Sequence, residues 1–178
     1  VHVLSVRNEC KELLFVVERE ADGREPLVRC INFGLDGMQS FSFTLEEERS
    51  AVLVPAGQVG TYLYEPNASV LKAGAFKQIA VRTGVKKLQV NSHLYTSDHL
   101  VSDFPGRRFR VDEVLSFTGK LCKGLSKTIP QANITVRNFP LSVEELRKRT
   151  KITDGGHVYL FATTLVDGEK VLVKCSKA

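Results

Sequence analysis

The sequence predicts an α+β protein made of two small domains that meet near Ser116. Short β-rich runs are separated by turn dipeptides such as Asp167-Gly168, which adopt a tight hairpin turn at little cost. Helical segments with recognisable caps lie between these runs. The length, 178 residues, suits one good core or two small ones, because domains typically have roughly 100–150 residues.

The predicted first domain, residues 1–116, begins with a strand over residues 1–6. Asn8 is then expected to cap a short helical turn, because its side chain can accept a hydrogen bond from the backbone. Asp22-Gly23 is a strong turn signal between two β-rich runs. A hairpin is therefore predicted over residues 14–33.

The middle of this domain is predicted to contain a half-buried strand, since Phe41, Phe43 and Leu45 alternate with polar residues. The charged run 46–49 is expected to be a solvated loop. A further strand at 61–64 ends at Pro66, because proline cannot donate to a sheet.

One helix is then predicted over residues 68–82. Leu71, Ala75 and Ile79 fall four residues apart on one face. Gly84 is suited to the left-handed conformation that ends a helix. After further extended chain, a strand is expected from Arg107 to the domain boundary.

The predicted second domain, residues 117–178, starts with a helix at about Thr118, followed by a short strand at 134–136. Ser142 and Glu145 have the spacing of a capping box, in which each side chain bonds to the other residue's backbone N–H. This pair predicts a second helix. A hairpin around Asp167-Gly168 ends the chain.

Positive charge is concentrated in the C-terminal part. Residues 1–104 hold 11 Lys and Arg against 13 Asp and Glu, whereas residues 105–178 hold 14 against 7. Lysine and arginine replace the counterions of a nucleic-acid backbone, so RNA phosphates are the expected ligands, with a solvated basic surface as an equal alternative. The candidate RNA-binding residues are Arg107, Arg108, Arg110, Lys120, Lys123, Lys127 and Arg137.

A second basic run, residues 147–151, is attributed to the C-terminal end of the Ser142 helix, where cations complement the helix dipole. It is therefore given less weight as a binding site. Tyr64, Glu65 and Asn67 form a candidate acceptor-side motif, because an aromatic residue beside an acid, Pro and Asn lines some methyl-acceptor pockets. The favoured interpretation of this tetrapeptide is a strand exit followed by a helix cap at Asn67.

The sequence offers no catalytic motif. The pairs Gly34/Gly37 and Gly57/Gly60 lack the spacing of a cofactor-binding loop and are better explained as turns. His93 and His99 do not suggest a metal site, and the consecutive Ser97-Asp98-His99 is better attributed to chance composition. We therefore expect no catalytic residue, metal or cofactor in this chain.

The remaining composition favours a cytoplasmic protein without a membrane span, because no run approaches the roughly 18 apolar residues that a span needs. The four cysteines form no CxxC pair, and most are expected to be buried. The first residue, Val1, already lies in an apolar pattern, and the single methionine is Met38. These features favour a piece of a longer chain.

Four stretches resemble the C-terminal half of a family of bacterial class I S-adenosylmethionine-dependent methyltransferase-like proteins. They are Tyr62-Leu-Tyr-Glu-Pro-Asn-Ala-Ser-Val-Leu-Lys-Ala-Gly-Ala-Phe76, Asn91-Ser-His-Leu-Tyr-Thr-Ser-Asp98, Phe104-Pro-Gly-Arg107 and Arg137-Asn-Phe-Pro-Leu-Ser-Val-Glu-Glu-Leu-Arg147. The resemblance implies a ferredoxin-like α/β sandwich over residues 1–116 and a THUMP-like domain over 117–178. It also implies an upstream methyltransferase domain that binds S-adenosylmethionine, and RNA, including tRNA, as a partner.

Two functions follow as expectations. In the first, the C-terminal domain holds RNA so that an upstream catalytic domain can methylate it. In the alternative, the chain is a protein interaction or dimerisation module that packs on the methyltransferase domain. The second predicts a large apolar surface on this chain.

Overall fold

A computed structural model describes residues 1–19, 23–35 and 37–178, which form two compact units. The first unit comprises Val1–Val54, Glu65–Val85 and Val101–Arg107, and the second comprises Pro55–Tyr64, Lys86–Leu100 and Arg108–Ala178. Strands and helices occur in both units, so the predicted α+β class is confirmed.

The first unit contains a four-stranded sheet of order β2-β1-β3-β4. Its strands are β1 (His2–Val6), β2 (Glu9–Leu14), β3 (Leu27–Gly34) and β4 (Gly37–Thr44). Strand β1 is antiparallel to β2 and parallel to β3, while β3 and β4 are antiparallel. The predicted hairpin over residues 14–33 is wrong, because β1 lies between β2 and β3.

The two glycine-containing turns of this region fall partly on residues that are not described. Asp22 of the predicted Asp22-Gly23 turn lies outside the described residues, as does Asp36 between β3 and β4. The clearer hairpin joins β1 to β2 through Arg7 and Asn8, whose φ angles are +50° and +63°. Two central residues with positive φ suit the twist of a two-residue hairpin. The helical turn predicted at Asn8 is therefore wrong.

A short helix, α1 (Leu45–Ser50), replaces the loop predicted over residues 46–49. Thr44 and Glu47 form a capping box, with Glu47 N–H donating to Thr44 Oγ1 at 3.2 Å and Thr44 N–H donating to the Glu47 carboxylate at 2.7 Å. A Thr-x-x-Glu signature marks such a helix start, so the sequence did contain the missed signal.

Two helices, α2 (Ala68–Ala73) and α3 (Gln78–Thr83), replace the single helix predicted over residues 68–82. Gly74 has a φ of +79° and ends α2. The Glu48 carboxylate then accepts hydrogen bonds from the backbone N–H groups at the start of α3. Gly84, with a φ of +71°, ends α3 as predicted.

A seven-stranded sheet of order β6-β7-β5-β8-β11-β10-β9 belongs to the second unit, apart from the last two residues of β5 and the first two of β8. Its strands are β5 (Tyr62–Pro66), β6 (Lys86–Lys87), β7 (Tyr95–Ser97), β8 (Gly106–Ser116), β9 (Asn133–Val136), β10 (Tyr159–Thr164) and β11 (Lys170–Lys177). The hairpin predicted at Asp167-Gly168 is confirmed as β10–β11, with Gly168 at a φ of +87°.

Two apolar cores cover the two faces of this sheet. Successive residues of β10 point to opposite faces, so Leu160 joins one core and Phe161 the other. Leu160 packs with Leu125 of α4 (Gly119–Thr128) and Leu146 of α5 (Val143–Thr150). Phe161 packs with Phe109 and with the segment around Leu88 and Leu94. Helices α4 and α5 thus lie on one face, and the segment 88–94 covers the other.

Candidate nucleic-acid interface

Helix α4 presents three lysines to solvent because its apolar residues occupy the opposite side. The helix begins at Thr118, whose hydroxyl accepts a hydrogen bond from Leu121 N–H at 3.1 Å, close to the predicted start. Cys122 and Leu125 are buried. Lys120, Lys123 and Lys127 are exposed, and their spacing of three and four residues places them on one helix surface. We call these three residues the lysine ridge.

The lysine ridge has no acidic partner in the part of the chain that the structure describes. No ion pair or side-chain hydrogen bond involves any of its three ammonium groups among those residues. Three adjacent cations without a neighbouring carboxylate repel one another and attract an anion. The ridge therefore suits a row of phosphates.

Helix α5 packs against α4 and adds a fourth cation. The predicted capping box is present, since Glu145 N–H donates to Ser142 Oγ at 3.2 Å and Ser142 N–H donates to the Glu145 carboxylate at 2.8 Å. These bonds lower the pKa of Glu145. Leu146 is buried in the shared core, and Arg149 is exposed. Because α5 is fixed at its start and along its buried side, the backbone that carries Arg149 is well defined.

Two open pockets lie along α4. The larger has a volume of about 550 Å³ and is lined by Lys120 together with Leu121, Leu125 and small polar residues. The smaller has a volume of about 210 Å³ and is lined by Lys123 and Arg149 together with Phe117, Gly119 and Cys122. The smaller pocket is therefore bordered by a cation from each helix, Lys123 of α4 and Arg149 of α5.

The basic residues of α5 divide into structural and exposed groups. Arg147 donates to the carbonyl oxygens of Ile152 and Ala132, each at 3.2 Å, and pairs with Asp154. Arg149 instead lines the same pocket as Lys123. Arg149 lies in the last turn of α5, as the helix-end explanation predicted, and no spacing rule connects it to α4.

The three arginines of β8 have other surroundings. Arg107 Nε donates to the Glu65 carboxylate at 2.9 Å, and Glu65 is buried. Arg108 is half-buried. Arg110 Nη2 lies 3.4 Å from Asp112 Oδ1 on the same strand. Arg107 belongs to the first unit, whereas the lysine ridge belongs to the second. The acidic partners of Arg107 and Arg110 reduce their net attraction for phosphate.

Arg137 belongs to a different cluster, on the opposite face of the sheet from α4. Burial is the main reason that the pKa of His93 is lowered to about 4, and the positive charges of Lys87 and Arg137 lower it further. Lys87 is 2% exposed, and its Nζ donates to Val90 O at 2.7 Å and lies 3.2 Å from His93 Nδ1. Neither Lys87 nor His93 was predicted as part of a basic site, because no local pattern marks a buried lysine.

Tyr64, Glu65 and Asn67 of the candidate acceptor-side motif are all buried. The Tyr64 hydroxyl donates to His99 O at 2.9 Å, and Glu65 binds Arg107. Asn67 Oδ1 accepts from Val70 N–H at 3.2 Å and thereby caps α2. These contacts favour the strand-exit and helix-cap interpretation.

The glycine pairs have structural roles. Gly34 and Gly37 face each other where β3 meets β4. Gly60 N–H donates to Thr96 Oγ1 at 2.8 Å, and a Cβ on Gly60 would lie 2.9 Å from Ser97 O. The N–H of Gly60 is therefore bonded within the protein, at a point of close approach to Ser97.

The side chains that could bind a metal ion are dispersed in the part of the chain that the structure describes. Among the described residues, no group of three or more His, Cys, Asp or Glu is placed to hold a metal ion. Cys30, Cys122 and Cys175 are buried, as predicted for most of the cysteines, and burial raises the pKa of each, that of Cys30 to about 12. No helix in the described ranges is both long and apolar enough to cross a membrane.

Comparisons with known proteins agree with this architecture. Residues 62–105 match a model of a ferredoxin-like domain, and residues 106–177 match a THUMP domain-like model. No curated protein matches the chain. A crystal structure described as a "putative methyltransferase" from Porphyromonas gingivalis W83 is 44% identical over 99% of this chain, with a TM-score of 0.91.

The chain spans 45% of that Porphyromonas protein. The two matched ranges meet between residues 105 and 106, and residues 1–61 precede both. The boundary near Ser116 stays a prediction. The chain therefore contains a ferredoxin-like domain followed by a THUMP-like domain, and it is similar throughout to part of a longer protein.

Proposed function

We propose that this chain is the RNA-binding part of a methyltransferase. In this proposal the lysine ridge and Arg149 hold phosphates of a structured RNA, and a catalytic domain elsewhere in the parent protein binds S-adenosylmethionine and methylates the RNA. The observation that carries the proposal is the lysine ridge, which lies in a THUMP-like domain and has no acidic partner among the described residues.

The surface chemistry supports phosphate rather than base recognition as the main source of affinity. Lysine ammonium groups are compact point charges on flexible stems, and they can follow a backbone without a fixed geometry. The larger pocket adds apolar surface from Leu121 and Leu125 beside Lys120. The parent's methyltransferase activity is supported by the description of the Porphyromonas relative, which extends well beyond the region matched here.

Charge reversal of the lysine ridge tests the proposal. The triple variant Lys120→Glu, Lys123→Glu and Lys127→Glu should weaken binding of a folded tRNA at least about tenfold at moderate salt, because three phosphate contacts become repulsive. A matched control reverses three exposed lysines of other elements: Lys72, Lys86 and Lys177.

The two triple variants have the same net charge, so only position distinguishes them. Affinity should be measured by filter binding or fluorescence anisotropy, with circular dichroism to confirm folding. If both triple variants lose the same affinity, the ridge is not a site and only overall charge matters. If neither loses affinity, RNA is not held by this surface.

A further inference from the structure

The four-stranded sheet of the first unit has one face that is packed and one that is open. Val3, Cys30 and Phe41 lie side by side on neighbouring strands and are buried, and α2 contacts β1, β2 and β3. The residues that alternate with them point to the other face. That outer face has an unusual composition for a surface exposed to water.

Apolar side chains form a continuous row across the outer face. Val6 lies opposite Phe33 in the register of β1 and β3, and Phe33 lies opposite Met38 in the register of β3 and β4. Their exposures are 41%, 46% and 62%. The next row inward places Leu4 beside Ile31, both half-buried. We call these five residues the outer-face patch.

The outer-face patch ends at β2, where Glu9 lies opposite Val6 and Glu12 lies opposite Leu4. Strand β2 is an edge strand, and Phe15, Val16 and Val17 follow it with exposures of 68–88%. An antiparallel or mixed sheet that faces water on one side normally carries polar residues there. Contiguous exposed apolar surface instead marks an interaction site.

The Porphyromonas relative is longer than this chain. This chain matches the Porphyromonas protein over 99% of its own length at a TM-score of 0.91, yet more than half of that protein has no counterpart here. The sheet itself lies in residues 1–44, before both matched domain models. It therefore lies outside both matched ranges.

We propose that the outer-face patch is the surface on which the remaining, methyltransferase part of the parent protein packs. The proposal rests on the proposed function for the identity of that part, but not on RNA binding. It makes the four-stranded sheet the structural link to the catalytic domain, with Val6, Phe33 and Met38 at the centre of the interface.

Met38 provides a direct probe, because it is the only methionine in this chain. Thioether oxidation by dilute hydrogen peroxide depends on exposure, so the sulfoxide at Met38 can be followed by peptide mass spectrometry. In this chain alone Met38 should oxidise at the rate of an exposed methionine. In the full-length protein the rate should fall at least about tenfold, since the thioether is covered.

An equal rate in both proteins would overturn the proposal. The proposal would also be overturned if Met38 of this chain alone became more protected from oxidation as the protein concentration rose, because a second copy of the chain would then cover the outer-face patch. A variant gives an independent reading: Met38→Glu should lower the melting temperature of the full-length protein and leave that of this chain unchanged. The control Val166→Glu, at another exposed apolar residue, should leave both unchanged. Protection of Met38 with no RNA affinity would refute only the proposed function.

Discussion

The lysine ridge of α4 and the arginines at positions 107 and 147 carry the same charge but have different neighbours. Arg107 binds the buried Glu65 carboxylate, and Arg147 binds Asp154 and two backbone carbonyls. The ridge lysines are exposed and have no carboxylate beside them among the described residues. Counting cations along a sequence therefore locates a basic region, while the partners of each cation decide whether it can hold a ligand.

Arg107 is expected to contribute more to stability than Lys123 or Ser142 does. Arg107→Gln should destabilise the protein by about 2 kcal/mol, because a buried carboxylate loses its guanidinium partner. This is less than the roughly 3–5 kcal/mol of a fully buried pair, since the Arg107 side chain is 43% exposed. Urea denaturation followed by circular dichroism measures the change.

Lys123→Gln is the matched control, and it should change stability by less than about 0.5 kcal/mol because the side chain is exposed. For tRNA affinity the order should be reversed, so that Lys123→Gln weakens binding more than Arg107→Gln does. A stable Arg107→Gln protein that binds RNA poorly would instead place Arg107 in the binding surface.

A smaller effect is expected at the start of α5. Ser142→Ala removes the hydroxyl that accepts from Glu145 N–H, and it should cost about 1 kcal/mol. Ser142→Asp should retain most of the stability, because an aspartate at the same position is also a good cap. Denaturant midpoints of the three proteins give the answer, and equal midpoints for alanine and serine would show that the cap contributes nothing.

The smallest predicted effect is a change in the pKa of His93, which distinguishes Arg137 from the lysine ridge. Burial, Lys87 and Arg137 lower the pKa of His93 from 6.5 to about 4, so His93 is neutral in the folded protein at neutral pH. Its contribution to stability is complete above pH 6.5 and is lost as the pH falls through about 4, because the unfolded chain binds the proton first.

Arg137→Gln should therefore raise the pKa of His93 when its ring protons are followed by NMR, whereas Lys127→Gln should leave it unchanged. A response to Lys127 instead of Arg137 would mean that the two basic clusters are one. The cluster around His93 would then have to be included in the ridge.

The elements that the sequence predicted well are those specified by local chemistry. The Ser142 capping box, the Asn67 cap and the Asp167-Gly168 turn each depend on residues within a few positions of one another. The four-stranded sheet was mispredicted because β1 pairs in parallel with β3, a contact between residues about 27 positions apart. No short pattern encodes such a pairing.

The candidate site shows the same division. The lysine ridge follows directly from helical spacing, and it was predicted. The addition of Arg149 depends on how α5 packs on α4, and the Arg107–Glu65 pair depends on β5 and β8 lying close together. Long-range packing therefore determines which cations are structural and which are exposed.

The salt dependence of tRNA binding reports how many RNA phosphates the protein contacts. Each phosphate neutralised in a duplex contributes about 0.9 to the slope of log K against log salt. Replacing Lys120, Lys123 and Lys127 with Gln should make that slope shallower by about 2–3. The same change at Lys72, Lys86 and Lys177 should leave the slope as it is in the unmodified protein. An unchanged slope in the ridge variant, with its fold intact, would contradict the claim that α4 holds RNA phosphates.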